Sequence, residues 1–135
     1  MASFVTKEIL NLFVTTPDGE VVLSGKAGEV PELNLFTKSI EDSDDNLTND
    51  GQLIINVKNL RSHIKGVFAY KDADIPMLQS GINQVIGGGA ELPVNVLCTD
   101  GSIYSNSGVF VGQLMYSAAG TQELKFVSAQ DWILS

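Results

Sequence analysis

His63 is the only histidine in the chain, set in Arg61-Ser62-His63-Ile64-Lys65. One histidine excludes a two-histidine metal centre. As the base of a catalytic triad it would need a nucleophile with a local signature such as Gly-x-Ser-x-Gly, and none occurs. It reads instead as a solvated or interface histidine. Asp42, Asp44 and Asn46 fit the first three ligand positions of a calcium-binding EF-hand loop. Leu47 then stands where the sharp turn requires glycine, and Leu53 where a bidentate glutamate closes the site. An irregular calcium site is the alternative this leaves. Gly81 and Gly87-Gly88-Gly89 lie within and after a helical pattern. A phosphate cradle needs glycines before a helix, where the amides point at the anion. Cys98 is the sole cysteine, so it has no internal disulfide partner and reads as a small buried residue. No catalytic, cofactor-binding or metal-binding residues are expected, and the chain does not read as an enzyme.

The charges are arranged more suggestively. Residues 41–50 hold five acids, Glu41, Asp42, Asp44, Asp45 and Asp50, and no base. Residues 51–71 hold Lys58, Arg61, Lys65 and Lys71 and no acid. Such runs suit solvated faces, and they suit equally a heterologous contact between two different patches, which generates rings or filaments. Asp42, Asp44 and Asp45 of one copy, and Lys58, Arg61 and Lys65 of another, are the candidate inter-subunit contacts. The net charge of −8 repels phosphate, so tight nucleic-acid binding is disfavoured although nucleic acid could pass without sticking. Only 18% of residues are charged, against a typical ~25%, so less surface must face water and partners are expected to cover some of it.

The elements that position these residues follow from turn chemistry and periodicity. A length of 135 residues suits one domain, spanning 1–135. The first eight residues lack the pattern of a signal peptide, and no apolar run approaches the ~20 residues that span a bilayer. The chain is expected to stay in the cytoplasm where it is made. Ile9-Leu10-Asn11-Leu12-Phe13-Val14, the turn Thr16-Pro17-Asp18-Gly19 and residues 20–23 form a hairpin. Residues 27–51 form a long polar loop, with a short strand at 32–36. Strands follow at 52–57 and 64–70. Asp74 caps a helix over 74–86, with Pro76 in its first turn, Leu78, Ile82, Val85 and Ile86 on one face, and the glycine run as its stop. Residues 92–98 and 102–105 form a hairpin about Asp100-Gly101, which favours tight two-residue turns. Strands at 108–116 and 122–128, joined at Ser117-Ala118-Ala119-Gly120, complete the chain. The fold class is mainly β (α+β), an antiparallel β-barrel or sandwich with one flanking helix. Several strands, including 9–14, 53–57 and 109–114, are apolar on both faces and need cover on both sides. One helix covers only part of such a barrel, and either the long loop or neighbouring subunits would supply the rest.

This order of features resembles the tail-tube proteins of contractile bacteriophages, and at this level the related tubes of type VI secretion systems. The features are the opening hairpin with Pro17-Asp18-Gly19, the Val30-Pro31-Glu32-Leu33 segment, the long polar loop to Gly51, the single helix between β runs and the closing strands. The resemblance covers nearly the whole chain and rests on order and length. It implies a β-barrel with one helix, homo-oligomeric and expectedly hexameric rings, and rings stacked into a hollow tube in a virion tail. The long loop would bind the next ring, and DNA would slide through an acidic lumen without specific binding. Tail sheath, baseplate and terminator proteins would be further partners, with no cofactor and no membrane. Lys58, Arg61 and Lys65 do not suit an acidic lumen and would face other subunits, a sheath or an adjoining ring. The alternatives are another tail-completion or baseplate protein, or a small-ligand or calcium-binding β-barrel.

Overall fold

A computed structural model describes residues 8–28, 31–42, 45–112 and 120–135. β1 (Ile9–Thr16) and β2 (Gly19–Gly25) form the opening hairpin, paired from Asn11↔Ser24 to Thr16↔Gly19. The chain then runs through β3 (Glu32–Asn34), β4 (Lys38–Ile40), β5 (Val57–Asn59) and β6 (Ser62–Ala69). A 3-10 turn (Asp72–Asp74) leads into α1 (Ile75–Gly88), followed by β7 (Leu92–Cys98), β8 (Ile103–Val111), β9 (Thr121–Ser128) and β10 (Ile133–Leu134). Antiparallel pairing runs β8-β7-β1-β2-β6-β9 and returns to β8, closing a six-stranded barrel. Closure removes the open edges on which other strands would add.

Alternation fills the barrel. Leu12 and Val14 of β1, Val21 and Leu23 of β2, and Val94 and Val96 of β7 all point inward and are essentially inaccessible. Phe68 and Phe126 are the largest fully buried side chains, each worth roughly 1.5–3 kcal/mol on burial. Phe110 meets Phe126 edge to face, with ring centroids 5.3 Å apart. α1 closes one mouth of the barrel. Its Leu78 and Gly81 are buried, and a Cβ at Gly81 would lie 3.1 Å from Thr16 Cγ2. Leu33, Leu35 and Trp132 pack against the core from β3 and the chain end. No helix among the described residues is long and apolar enough to cross a membrane.

Two strands serve two partners along one edge. β6 pairs with β2 at Phe68 and Ala69, then with β3 at His63, Ile64 and Lys65. β8 pairs with β9 at residues 109–111, then with β10 at Tyr104 and Ser105. A buried polar cluster fills the gap between β9 and β10. Asn106 Nδ2 donates to the Gln130 carbonyl at 3.0 Å, and the Ser128 hydroxyl donates to Asn106 Oδ1 at 2.9 Å. The Gln130 amide donates to Ser128 Oγ at 3.0 Å. These side chains replace the ladder bonds lost where the strand bends, as buried polar groups require.

Several expectations need correction. The expected strands at 102–105 and 108–116 are not separate over the described residues: β8 runs unbroken through Ser105-Asn106-Ser107, because those polar residues satisfy the cluster, and residues 113–116 lie outside the described residues. Its connection to β7 has three residues, since the Cys98 amide donates to the Ser102 carbonyl and Gly101 takes a φ of 85°. That is the alternative short hairpin geometry. Residues 52–57 are no barrel strand. Leu53 makes one isolated bridge, to Leu47, and regular pairing begins only at Val57. The helix continues past Ile86 to Gly88 and ends on Gly89 in the left-handed region, while Asp74 makes no side-chain cap bond. Ile86 is 78% exposed rather than on the packed face. The expected joint at 117–119 lies outside the described residues.

The closure between β8 and β9 leaves no room at Gly108, where an added Cβ would collide with the Val127 carbonyl oxygen. Gly108→Ala should therefore destabilise the barrel by about 2–4 kcal/mol in urea unfolding, the range of backbone-level clashes in a core. Gly87→Ala, where a Cβ meets nothing, should change stability by well under half of that.

Candidate functional site

The expected long polar loop is half of a projecting β-ribbon. β4 pairs with β5 from Lys38↔Asn59 to Ile40↔Val57. Pairing continues outward, with the Glu41 amide donating to the Asn56 carbonyl at 2.8 Å and the Ile54 amide to the Asn46 carbonyl at 2.7 Å. A turn at residues 48–51 closes the tip, with Gly51 at a φ of 85°. The resulting arm carries large apolar side chains into water: Phe36 is 63% exposed, Ile40 67% and Leu53 73%. Leu47, Ile55 and Val57 are exposed as well. A two-stranded ribbon is marginal on its own, and monomer surfaces rarely gather so much apolar side chain.

Folding back reorders the charges. Glu41, Asp42, Asp45 and Asp50 lie in the distal half of the arm, while Lys38 and Lys58 lie near its root, Lys58 opposite Ser39. Asp42 and Lys58, distant contact candidates in the sequence, thus share one ribbon. Arg61 stands where the arm rejoins the barrel, Lys65 faces outward on β6 beside Glu123 at 3.3 Å, and Asp44 lies outside the described residues. Of the calcium candidates, Asn46 is engaged through Nδ2, which donates to the Glu41 carbonyl at 2.7 Å. Among the described residues no group of three His, Cys, Asp or Glu side chains gathers in metal-binding geometry.

The arm root is held in a fixed direction. The Thr37 amide and hydroxyl both donate to Asp131 Oδ1, each at 2.7 Å. The Trp132 amide donates to the Leu35 carbonyl at 3.1 Å, and the Leu60 amide to the Thr37 carbonyl at 2.6 Å. The bonds from the Thr37 hydroxyl and amide stabilise the ionised carboxylate and lower the Asp131 pKa, Lys38 adding a smaller effect. Sequence reasoning missed Asp131, since a contact between residues 94 positions apart leaves no local signal.

Two outward faces lie beside the arm. On the sheet β2-β1-β7-β8, Val22 stands opposite Phe13, and Leu97 opposite Ile103. Phe13, Leu97 and Ile103 line a recess of about 490 Å3, and Ile133 and Leu134 are exposed nearby on β10. This is where the two-faced character of the opening strand goes, onto an outer face that no helix covers among the described residues. On the other face, β3-β6-β9, His63 Nε2 lies 2.8 Å from Glu32 Oε1. The hydrogen bond from His63, then its charge, lowers the Glu32 pKa, with Lys65 and Lys125 contributing. Lys125 is a second residue the sequence reading missed, although its place on an alternating strand marked it as outward.

The Asp131 contacts make a testable statement about pH. A carboxylate whose folded pKa is lowered contributes stability that is complete above its unfolded pKa and is lost as pH falls through the folded value. Amide protection at Thr37 and Leu60 should therefore fall in Asp131→Ala at neutral pH, and in the parent as pH drops below the ordinary aspartate range, while the amides of the β6–β9 ladder stay protected. Equal protection of Thr37 in parent and variant would show that Asp131 does not hold the arm. No protein-family model matches the chain, and no curated protein matches its sequence, so the arm, its root and the two outward faces carry the functional reading.

Proposed function

We propose that the chain is a structural subunit that assembles with copies of itself into rings, stacked into a tube of the kind found in contractile bacteriophage tails, with DNA passing through as cargo. The observation that carries this reading is the apolar arm. Burying a large aliphatic side chain is worth roughly 1.5–3 kcal/mol, and the arm displays several of them on a ribbon aimed away from its own barrel. A second uncovered surface, around Phe13, Leu97 and Ile103, gives the subunit another place for a neighbour. Two different patches on one chain suit heterologous contacts, which build rings and stacks rather than simple dimers. The net charge of −8 supports a conduit to which phosphate does not adhere. Sheath, baseplate or terminator proteins would be further partners, and hexameric rings in a virion tail follow from the resemblance.

The competing ligand-binding reading draws on an apolar recess at the barrel mouth lined by Ile9, Leu33, Leu35, Cys98 and Tyr104. Its volume, about 290 Å3, falls just under the ~300–1,000 Å3 of typical small-molecule sites. It explains neither the arm nor the outer apolar face, so we favour assembly.

Sedimentation velocity across a concentration series, with electron microscopy of the concentrated sample, should show growth from subunits to rings and short tubes. Leu47→Ser with Leu53→Ser should weaken this association by roughly 2 kcal/mol or more, with the circular dichroism spectrum and unfolding midpoint of the barrel unchanged. A strictly monomeric parent at every concentration would remove the proposal.

A further inference from the structure

We infer that the recess on the β3-β6-β9 face is a binding site for a small phosphate or phosphomonoester, whatever the state of assembly. The recess holds about 240 Å3 and is lined by Asn34, Leu60, Arg61, His63, Lys125 and Val127. On a chain of net charge −8, it gathers two permanent cations from separate stretches, Arg61 from the β5–β6 junction and Lys125 from β9. Among the described residues no carboxylate lines it. The acids nearby have other cations: Glu123 lies 3.3 Å from Lys65, and Glu32 lies 2.8 Å from His63. Lys125 contributes less to lowering the Glu32 pKa than His63 and Lys65 do. Among the described residues, Arg61 and Lys125 form no ion pair.

The lining side chains define the ligand's chemistry. A guanidinium presents a planar fork that matches two oxygens of one phosphate, and an ammonium adds a point charge for a third. Two cations call for a dianion, since a monocarboxylate would answer only one of them. Asn34 Oδ1 accepts from the Phe36 amide at 3.4 Å, which leaves Nδ2 as a neutral donor. Leu60 and the buried Val127 add apolar surface that a bare ion would leave unused. A short apolar ester group would cover it, so a phosphomonoester suits the recess better than inorganic phosphate. The volume lies under the ~300–1,000 Å3 of typical small-molecule sites, which keeps the ligand small.

The negative field of the whole chain selects for a small ligand as well. A nucleic-acid strand would extend beyond the recess and meet Glu32 and Glu123 on the same face. A single phosphate sits within contact range of Arg61 and Lys125, where their attraction is screened far less than repulsion from distant acids. The site also joins three parts of the molecule. Asn34 ends the strand that leads into the arm, Leu60 and Arg61 follow the strand that leaves it, and Lys125 and Val127 belong to the barrel. A bound phosphate would therefore tie both legs of the arm to β9. The Leu60 amide, which donates to the Thr37 carbonyl at 2.6 Å, reports on that tie.

Equilibrium dialysis of the whole chain against labelled inorganic phosphate, at fixed ionic strength, tests this. Binding should saturate at a single phosphate per chain, and phenyl phosphate should displace the label at roughly fivefold lower concentration. Hydrogen exchange at the Leu60 amide should slow when phosphate is added. Arg61→Gln and Lys125→Gln should each weaken binding about tenfold, and Arg61→Lys, which keeps the charge and loses the fork, by less. Lys71→Gln removes the same charge beyond the far end of β6 and should leave binding within about twofold of the parent. Circular dichroism checks that each variant is folded, and the parent's own titration does not depend on them. Phosphate binding that never saturates, or that falls equally in Arg61→Gln and Lys71→Gln, overturns the site. A short oligothymidylate that binds more tightly than phenyl phosphate, and is lost in Arg61→Gln, assigns the recess to nucleic acid and overturns the small-ligand inference. Dialysis reads binding and not association, so a monomeric parent that binds phosphate removes the self-assembly reading and supports this one.

Discussion

Closure of a small barrel with strands of unequal reach governs much of this structure. β6 and β8 each run past the end of a neighbour, and each takes a second partner on the same edge. An unpaired ladder in the interior would cost the desolvation of every open amide and carbonyl. β3 and β10 are the short segments that cover those edges. The arm leaves the barrel directly after β3, and its root is bonded to the bend between β9 and β10. The two edge repairs therefore meet, and together they form the socket from which the arm projects. Gly108 lies at the same crossing, where the Val127 carbonyl allows no side chain.

The socket accounts for an otherwise costly design. Ordering a ribbon in solvent sacrifices backbone entropy of roughly 1–2 kcal/mol per residue, with little burial in return. If the arm were loose, that entropy would be lost at the moment of association and would weaken it. Bonds from Thr37 to Asp131, and from Trp132 to Leu35, order the root within the single chain. On the assembly reading, the folded barrel thus bears part of the ordering cost, and more of the binding energy would be retained for affinity. The carboxylate of Asp131 suits this position because one oxygen accepts both bonds while its charge strengthens each.

The parts of the fold legible in the sequence were those written locally. Pro17-Asp18-Gly19 gave the first hairpin, and Pro76 with the glycine run gave the helix. The arm was hidden because exposed apolar residues such as Leu53, Ile54 and Ile55 look like core when only hydropathy is read. β8 looked broken for the opposite reason, since Asn106 is polar yet buried, its bonds supplied by residues far along the chain. The charge runs were legible as composition but not as geometry. Reading along the chain places acids before bases, whereas antiparallel pairing sets Lys38 and Lys58 together at the root and leaves the acids outward. Asp131 required the tertiary structure itself, whereas Lys125 was legible as outward but not as a neighbour of Arg61 and His63.

The same arrangement bears on how copies with a charge of −8 can associate at all. Whole-molecule repulsion acts over tens of ångströms, and at physiological salt it is screened beyond about 8 Å. An ion pair in contact lies inside that length and is screened much less. On the assembly reading, a polarised arm would separate two ranges of force: the general negative field keeps copies dispersed in most orientations, and attraction is confined to those that bring unlike charges into contact. An arm of apolar residues alone would have no such gate and would adhere to any exposed sheet, including the Phe13 and Ile103 face of its own kind. Charge placement along the ribbon thus restricts where the apolar attraction is felt, which is what an assembly with one correct register requires.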